Sequence, residues 1–403
     1  MKKILFTTVL FLSASSLCFA GNYEYPTLYK STRTMGMGGA NVAVGGHVDA
    51  FYTNPAGLCR MESGDWEFNL LNMGVSLGAN VQQFTEDLQD AFDIVDEDEQ
   101  MTAVNETLGE YFGENMHFGF TDTFDIGRGG ENASFALSSI ANLSSDILPH
   151  QGFGAEGLME VNTSLIYGVG LGLGYKVQEN VFLGASLKLL NQESVKHNFS
   201  VAELVENQES MDTYITDDLQ QTASAVASDI GLIYEFDSGM DSLRPSLGIS
   251  IMNIGGLEDL PMTVNLGAAI QVDLGMLMGG DSDTLETDME TLEKSNMSDD
   301  ETSEDDYKPS LSLGFDYVDI LGNFDQDQDV AKRLRFGGEL VVFDSILSTL
   351  ALRAGIYQGY PTYGLGFRLL LFDVSYVKYT EEIGAYAGQV EDERQMINFT
   401  LGW

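Results

Sequence analysis

Four arginines in the last third of the chain are the side chains best suited to bind a ligand. They fall in three neighbouring stretches where polar and apolar residues alternate, always on the polar side of the alternation. A guanidinium binds a carboxylate through two parallel hydrogen bonds, so these arginines are candidates for holding a ligand carboxylate inside the protein. The alternative is that they pair with acids of the chain itself, such as Glu339, Asp373 or Asp49. The four candidates are Arg333, Arg335, Arg353 and Arg368.

Other groupings of reactive or ligating side chains are weaker. The acids of residues 323–329 alternate as in a calcium loop, but the glycine and the distal glutamate of an EF-hand are missing. The histidines are His47, His117, His150 and His197, and no Ser/His/Asp arrangement can be argued from them. We therefore predict no catalytic residue, no metal site and no cofactor, and expect a protein that is not an enzyme.

Charge and composition argue against one class of partner. The 403 residues include 62 Asp and Glu against 19 Lys and Arg, which gives a net charge of −43. Because a phosphate backbone is neutralised by Lys and Arg, nucleic-acid binding is not expected. Nearly half of the acids fall in three inserts, which we expect to be solvated loops with some short helices. The alternative for these dense carboxylates is divalent-cation binding. The inserts span residues 84–110, 201–218 and 281–306.

The first twenty residues have the pattern of an export signal. Two lysines precede a mostly apolar run over residues 4–12, and the segment ends on Ala20. Cleavage after Ala20 would leave Cys59 as the one thiol of the mature chain.

Most of the remaining sequence alternates in the manner of strands that have two different faces. In residues 167–175, four glycines share one face, while Tyr, Val, Leu, Leu and Tyr share the other. Tilted in a bilayer, this strand spans roughly 21 Å, close to the ~25 Å apolar band of membrane barrels with its aromatic borders. We expect the apolar face to contact lipid, and the glycine face to point inward and leave the lumen roomy.

Fourteen such segments predict an all-β fold, a transmembrane antiparallel β-barrel of about 14 strands. An even strand number is typical of bacterial single-chain barrels. With both termini periplasmic, the first two acidic inserts lie outside the cell, whereas residues 281–306 lie in the periplasm. Either a strand near that insert is miscounted, or the protein has a real periplasmic insert. The predicted strands are residues 65–78, 114–126, 132–142, 159–177, 180–192, 223–236, 244–254, 262–274, 308–319, 332–344, 348–358, 361–369, 372–380 and 394–403.

The start of the mature chain carries the most specific motif. Residues 34–58 read TMGMGGANVAVGGHVDAFYTNPAGL. This resembles the FadL/TodX superfamily of outer-membrane barrels and its PorV-like relatives, whose mature chains begin with a segment of the form MGGA…D…NPAGL. Residues 353–366 and 381–388 are also similar to exported barrels of this superfamily, including some TraF-like ones. The matching motif residues are Gly38, Gly39, Ala40, Asp49, Asn54, Pro55, Ala56, Gly57 and Leu58.

The resemblance implies that the mature chain divides into a hatch and a barrel. Residues 21–60 would fold into the lumen as the hatch, with Asn54-Pro55-Ala56 as its buried turn, and residues 61–403 would form the barrel. Transporters of this kind bind hydrophobic solutes, long-chain fatty acids or hydrocarbons, inside the barrel and release them through a gap in its wall. The alternative to gating is that residues 21–60 only pack the lumen closed.

The resemblance also implies a location and partners. The expected place is the outer membrane of a Gram-negative bacterium, with outer-membrane lipid and a hydrophobic small molecule as partners. The rival function is a barrel that transports nothing and serves as a docking or assembly partner in secretion or conjugation, as PorV-like proteins do. An apolar lumenal pocket near the arginines would favour transport, whereas a lumen fully filled by residues 21–60 beneath a broad loop platform would favour docking.

The C-terminus predicts how the barrel is assembled. Apolar residues alternate up to a terminal aromatic, at Ile397, Phe399, Leu401 and Trp403, which resembles the signal read by the outer-membrane assembly machinery. A strand with unpaired backbone groups cannot enter lipid alone. Trp403→Ser should therefore leave export across the inner membrane intact and strand the protein in the periplasm, as cell fractionation would show. Normal, heat-modifiable protein in the outer-membrane fraction would contradict this assignment.

Overall fold

A computed structural model of the protein describes residues 24–152, 157–279, 309–324, 329–345 and 347–402. Fourteen strands in these ranges form one closed barrel, in which consecutive strands pair antiparallel and β1 pairs with β14. The predicted barrel and its strand count are confirmed. The strands are β1 Trp66–Gly78, β2 Met116–Arg128, β3 Ala133–Gln151, β4 Gly157–Gln178, β5 Val181–Ser200, β6 Gln221–Glu235, β7 Leu243–Ile254, β8 Thr263–Asp273, β9 Ser310–Tyr317, β10 Leu334–Asp344, β11 Ser348–Tyr357, β12 Tyr360–Leu369, β13 Phe372–Glu382 and β14 Glu391–Gly402.

Short helices lie in the connections and in the N-terminal segment. In the ranges given above, none of them is both long and apolar enough to cross a membrane. The α-helices are α1 Thr32–Gly36, α2 Val81–Phe92, α3 Glu97–Glu110, α4 Val201–Glu206, α5 Met211–Tyr214, α6 Leu274–Gly279 and α7 Val330–Arg333. Single turns of 3-10 helix cover Val48–Tyr52, Pro55–Arg60 and Gln208–Ser210, and a π-helical turn covers Ile215–Leu219.

The outer wall of the barrel is apolar around its whole circumference. Each of the fourteen strands exposes at least one large apolar side chain. In β4 the predicted lipid-facing residues are 38% to 58% exposed, and they alternate with the inward glycines. An exposed apolar belt that closes on itself is the surface of a barrel that spans a membrane. The residues in β4 are Tyr167, Val169, Leu171, Leu173 and Tyr175.

Two strands are longer than the sequence predicts. In β3 and β5 the apolar alternation stops near residues 142 and 192, but backbone pairing continues to Gln151 and Ser200. Polar pairs such as Asp146 with Asn162 continue the ladder there. The alternation marks the part of a strand that faces lipid, whereas the hydrogen-bonded ladder also runs beyond it. These strands therefore rise above the apolar belt at one end of the barrel.

Long and short connections lie at opposite ends of the barrel. The residues between β4 and β5 are Glu179 and Asn180, and those between β12 and β13 are Leu370 and Leu371. The acidic connections after β1 and β5 lie at the other end, which we call the cap end. Since the strand count is confirmed, the connection from β8 to β9 belongs to the end with the short turns, and a miscounted strand is not the explanation. Residues 281–306 themselves fall outside the described ranges, as do residues 1–20 and Trp403.

The two acidic inserts at the cap end form a packed helical layer, where the sequence predicts solvated loops with some short helices. Helices α2 and α3 bury Phe84, Val104 and Leu108 in one cluster with Phe199 of β5 and Leu204 of α4. Apolar residues at helical spacing thus form a small core, and most of the acids lie on its exposed side. The high acid content concealed this pattern.

The partly buried carboxylate of Glu203 anchors α4 within this layer. Ser200 and Glu203 form a capping box at the start of the helix. Glu203 also accepts hydrogen bonds from Tyr214 Oη at 2.6 Å and from His197 Nε2 at 2.8 Å. Burial raises the pKa of Glu203, but these hydrogen bonds outweigh it and hold the pKa below its usual value.

The two-ended arrangement predicts which residues face the outside of the cell. Val95, between α2 and α3, is 98% exposed at the cap end, and Asp241 is exposed in the β6–β7 turn at the other end. In a Cys59→Ser background, Val95→Cys should react with a membrane-impermeant maleimide on intact cells, whereas Asp241→Cys should react only after lysis. The reverse labelling pattern would show that the barrel has the opposite orientation.

Candidate functional site

Residues 24–61, here called the lumenal segment, cross the interior of the barrel. A Cβ added to Gly184 of β5 would lie 2.1 Å from the Ala56 nitrogen. One added to Gly364 of β12 would lie 3.1 Å from the Cα of Gly36. Strands β5 and β12 are seven positions apart in a ring of fourteen, on opposite sides of the barrel. A segment that touches the inner faces of both lies in the lumen.

Glycines on ten strands form the wall against which the lumenal segment packs. At each of them, an added Cβ would lie within 3.1 Å of an atom of the segment. The expectation that the glycine face leaves the lumen roomy is therefore wrong, because main chain and small side chains of the segment fill the space that absent side chains leave. The wall glycines are Gly127, Gly170, Gly172, Gly174, Gly184, Gly231, Gly248, Gly267, Gly314, Gly337, Gly355 and Gly364.

The motif residues Gly38, Gly39 and Ala40 form a tight turn against β10, β11 and β9. Gly38 has φ +64° and Gly39 has φ +82°, which favour glycine. A Cβ on Gly38 would lie 2.3 Å from the carbonyl oxygen of Phe336. Ala40 is fully buried and lies next to Gly314.

The motif Asn54-Pro55-Ala56 forms a second turn against β5 and β6. The Asn54 amide donates to the Val42 carbonyl at 2.7 Å, and its Oδ1 accepts from the Ala56 nitrogen at 3.1 Å. Asn54 thus caps the 3-10 turn Pro55–Arg60 while Pro55 sets its first φ. The turn sits where Gly184 and Gly231 leave the wall bare.

Asp49, the acidic residue of the motif, lies in the 3-10 turn Val48–Tyr52. Its Oδ2 accepts a hydrogen bond from Ser31 Oγ at 3.2 Å. Its Oδ1 is buried without a hydrogen-bond partner among the described residues.

Arg353 is the only one of the four predicted arginines that pairs with a predicted acid. Its Nε donates to Glu339 Oε2 at 2.7 Å. Arg33 of α1 donates to the same carboxylate, with Nη2 3.0 Å from Oε1. Glu339 is buried, so two guanidiniums from the segment and the wall share one acid in the lumen. The sequence analysis did not identify Arg33. The residues around it do not alternate, so they predict no strand on whose inner face it could lie.

The other three arginines lie elsewhere, so the four do not form one cluster. Arg335 stacks on the Tyr357 ring at 4.1 Å. Arg333 lies in α7 before β10 and donates to the Asp319 carbonyl at 3.2 Å. Arg368 lies towards the short-turn end and pairs with Asp344 at 3.0 Å. A shared face along strands brings side chains into one row, not to one point.

Two further charged residues tie the segment to the wall and were not predicted. Asp316 of β9 accepts from the backbone nitrogens of Asn41 and Val42 at 2.6 and 2.8 Å. Arg60 pairs with Glu235 of β6 at 2.8 Å and donates to two carbonyls of the segment. In the sequence, Asp316 is an isolated polar residue on an inner face and Arg60 is a single base after the motif, and neither position identifies its partner.

One side of the lumen is apolar. A buried cluster runs from the lumenal segment, through the inner faces of β3 to β6, to the β7–β8 connection at the cap end. Aromatic and aliphatic side chains of the segment form its base, and Leu257 and Leu260 form its upper part. The remaining large members are Leu28, Phe51, Tyr52, Leu58, Met61, Ile140, Ile166 and Leu190.

Comparison with known proteins gives structural neighbours only. No protein-family model matches the sequence, and no curated protein matches it. The CymD monoaromatic hydrocarbon channel is 11% identical, with TM-score 0.44 over 92% of this chain and 97% of that one. The toluene transporter TbuX of Ralstonia pickettii is 10% identical, with TM-score 0.47 over 93% and 97%. A FadL homologue of Pseudomonas aeruginosa is 10% identical, with TM-score 0.37 over 94% and 99%.

At 11% identity or less, the likeness concerns the barrel fold alone.

The glycine wall predicts an asymmetry between identical substitutions. Gly184→Ala places a Cβ against the main chain of Pro55 and Ala56, so overpacking should cost about 1–3 kcal/mol of stability. Gly109→Ala is the matched control, because nothing lies within 4 Å of its Cβ and alanine favours the α3 helix by about 1 kcal/mol. The temperature at which the barrel loses its fast mobility on gels measures both. An unchanged temperature for Gly184→Ala would contradict the close contact.

Proposed function

We propose that the protein is an outer-membrane barrel that passes hydrophobic solutes, with the lumenal segment as its hatch. The observation that carries this proposal is the apolar cluster within the lumen, which reaches from the cap end down to Phe51 and Leu58 of the segment. A hydrophobic solute that enters at the cap end would follow these side chains and meet the segment. Long-chain acids and hydrocarbons are the proposed solutes.

The location follows from the outer surface and from the two ends of the chain. The closed apolar belt requires a membrane, and the predicted export signal directs the chain out of the cytoplasm. In β14, Ile397, Phe399 and Leu401 pair with β1 and close the barrel, which supports the proposal that this strand carries an assembly signal. The outer membrane of a Gram-negative cell is the compartment where such barrels are assembled.

A movable segment is compatible with a stable barrel. The strands close into a ring by pairing only with each other, so the ladder does not need residues 24–61. What holds the segment is its contact with the glycine wall and a set of ion pairs, such as Arg33 with Glu339. These contacts can be broken without opening the sheet.

The arginines near Glu339 are the proposed place for the polar end of a solute. Arg33 and Arg353 each have a buried Nη1 without a hydrogen-bond partner in the described part of the chain. A carboxylate that reached both would complete their hydrogen bonding. Arg335, Arg333 and Arg368 have separate surroundings and would serve the solute less directly.

A second candidate function is docking or assembly of a partner in secretion or conjugation. Two observations favour it: the segment touches ten strands, and the cap end carries a folded acidic layer. On this proposal the segment stays in place and the cap is the working surface.

A cross-link between the segment and the wall distinguishes the two functions. A Cβ at Gly174 would lie 2.7 Å from Cys59 Sγ, so Gly174→Cys places a second thiol within disulfide reach. If the segment is a hatch, oxidation should reduce uptake of a radiolabelled long-chain acid and of toluene at least about tenfold, and a reductant should restore it. The same variant with Cys59→Ser should not respond to oxidation.

Each outcome decides between the proposals. Uptake that continues unchanged in the verified cross-linked barrel would contradict the hatch but not the channel. No uptake by wild-type protein in liposomes, above empty liposomes, would contradict transport and leave docking as the better account.

A further inference from the structure

Three side chains at the cap end of the lumen stand in the hydrogen-bonded order of a serine hydrolase triad. Ser76 Oγ lies 2.9 Å from His117 Nε2, and His117 Nδ1 lies 2.9 Å from Asp146 Oδ1. The three residues are on the adjacent strands β1, β2 and β3, and all are buried on the inner side of the wall. We propose that Ser76 is a nucleophile and that the lumen hydrolyses carboxylic esters.

The contacts of His117 define its role. With Asp146 accepting from Nδ1–H, Nε2 is free to accept the proton of the Ser76 hydroxyl, as a general base requires. Asp146 also accepts from Asn115 Nδ2 at 2.8 Å, which fixes its orientation. Ser76 and His117 are thus the proposed catalytic residues, and Asp146 is a positioning residue that acts through His117.

The proposed oxyanion donor is Arg394, whose Nε and Nη2 already pair with Asp392, Asp146 and Glu24. It lies opposite Gly78, two residues along β1 from Ser76 and hence on the same face. It is fully buried and donates to Asp146 at 3.1 Å and to Glu24 at 2.8 Å. Its Nη1 has no hydrogen-bond partner among the described residues. A guanidinium N–H so placed can stabilise the oxyanion that forms when the hydroxyl attacks a carbonyl.

Glu24, in the lumenal segment, lies beside His117 and Asp146. Its carboxylate lies within 4.8 Å of the ligand atoms of His117 and Asp146. Such a group of three could hold a metal ion, but Arg394 already pairs with both carboxylates and would repel a second cation. A carboxylate beside the oxyanion position opposes attack, so we infer that the site works when Glu24 moves away.

The proposed substrate is an ester of an apolar carboxylic acid. Met396 of β14 pairs with Ser76 and belongs to a buried apolar cluster with Tyr379, so the acyl chain would meet apolar surface. Ser76 Oγ bonds to the carbonyl carbon while its proton passes to His117. The bond to the leaving alcohol then breaks, and that alcohol takes the proton. Water repeats the sequence on the acyl-serine, which releases the acid and restores Ser76.

The test is covalent labelling of the purified full-length barrel with a fluorophosphonate probe, together with hydrolysis of a p-nitrophenyl ester. Wild-type protein should label at Ser76, and Ser76→Ala and His117→Gln should each abolish labelling and hydrolysis. Glu24→Ala, which removes the carboxylate that opposes attack, should raise the labelling rate about tenfold or more. Ser250→Ala is the matched control, because Ser250 is a buried inward serine that accepts a hydrogen bond from Asn265 and has no histidine contact among the described residues, and it should label as wild type does.

The role of Asp146 is tested by comparing the labelling rates of two substitutions. If it positions His117, Asp146→Asn should slow labelling and Asp146→Glu should restore part of the rate, in protein whose heat-modifiable mobility shows a folded barrel. Fluorophosphonate that fails to label folded wild-type and Glu24→Ala protein, or that labels Ser76→Ala equally, would overturn the proposal. Toluene uptake is the separate readout for the proposed transport: a loss of labelling in Ser76→Ala without a loss of uptake distinguishes failure of the hydrolysis from failure of the channel.

Discussion

The close contact between the lumenal segment and the glycines of the inner wall is the constraint on which the rest of the structure depends. Where the segment passes Gly231, an added Cβ would lie 1.8 Å from the side-chain oxygen of Asn54. At Gly184 the contact is between two main chains. Glycine is a poor strand former, because it loses most backbone freedom on folding. Ten strands that carry an inward glycine therefore indicate a wall shaped for something that packs on it, and the lumenal segment is that partner.

Charge pairing makes the fit between segment and wall specific. Glu339 is held by a guanidinium from each side, and Asp316 accepts two backbone N–H groups of the segment. Removing one partner of a buried pair leaves a charge unsatisfied, at a cost of about 3–5 kcal/mol. Such contacts stabilise one position of the segment, and small displacements from it would lose them. If the segment moves, as the proposed hatch would, several of these contacts must break together.

The sequence predicts the wall of this barrel well and its contents poorly, for a physical reason. Every strand exposes apolar side chains on its outer face, so all outer faces follow one pattern, and alternation alone locates fourteen strands to within a few residues in most cases. Inside the barrel, each residue contacts a different partner. Arg33 and Glu339 are 306 positions apart, and no local pattern joins them. Alternation placed the wall glycines on the correct face, but it could not say that a segment fills the space beside them.

The hydrogen bond between Ser76 and His117 also depends on a glycine of the inner wall. Ser76 and His117 are 41 residues apart, and His117 and Asp146 are 29 apart, so their spacing in sequence carries no signal. The strand register brings them together, with His117 paired to Asp146 and Ser76 paired to Gly119. A Cβ on Gly119 would lie 2.2 Å from Ser76 Oγ and 3.1 Å from His117 Nε2. A side chain at this position would push the hydroxyl from the imidazole, so the glycine that opens the wall also permits the hydrogen bond that a nucleophile requires.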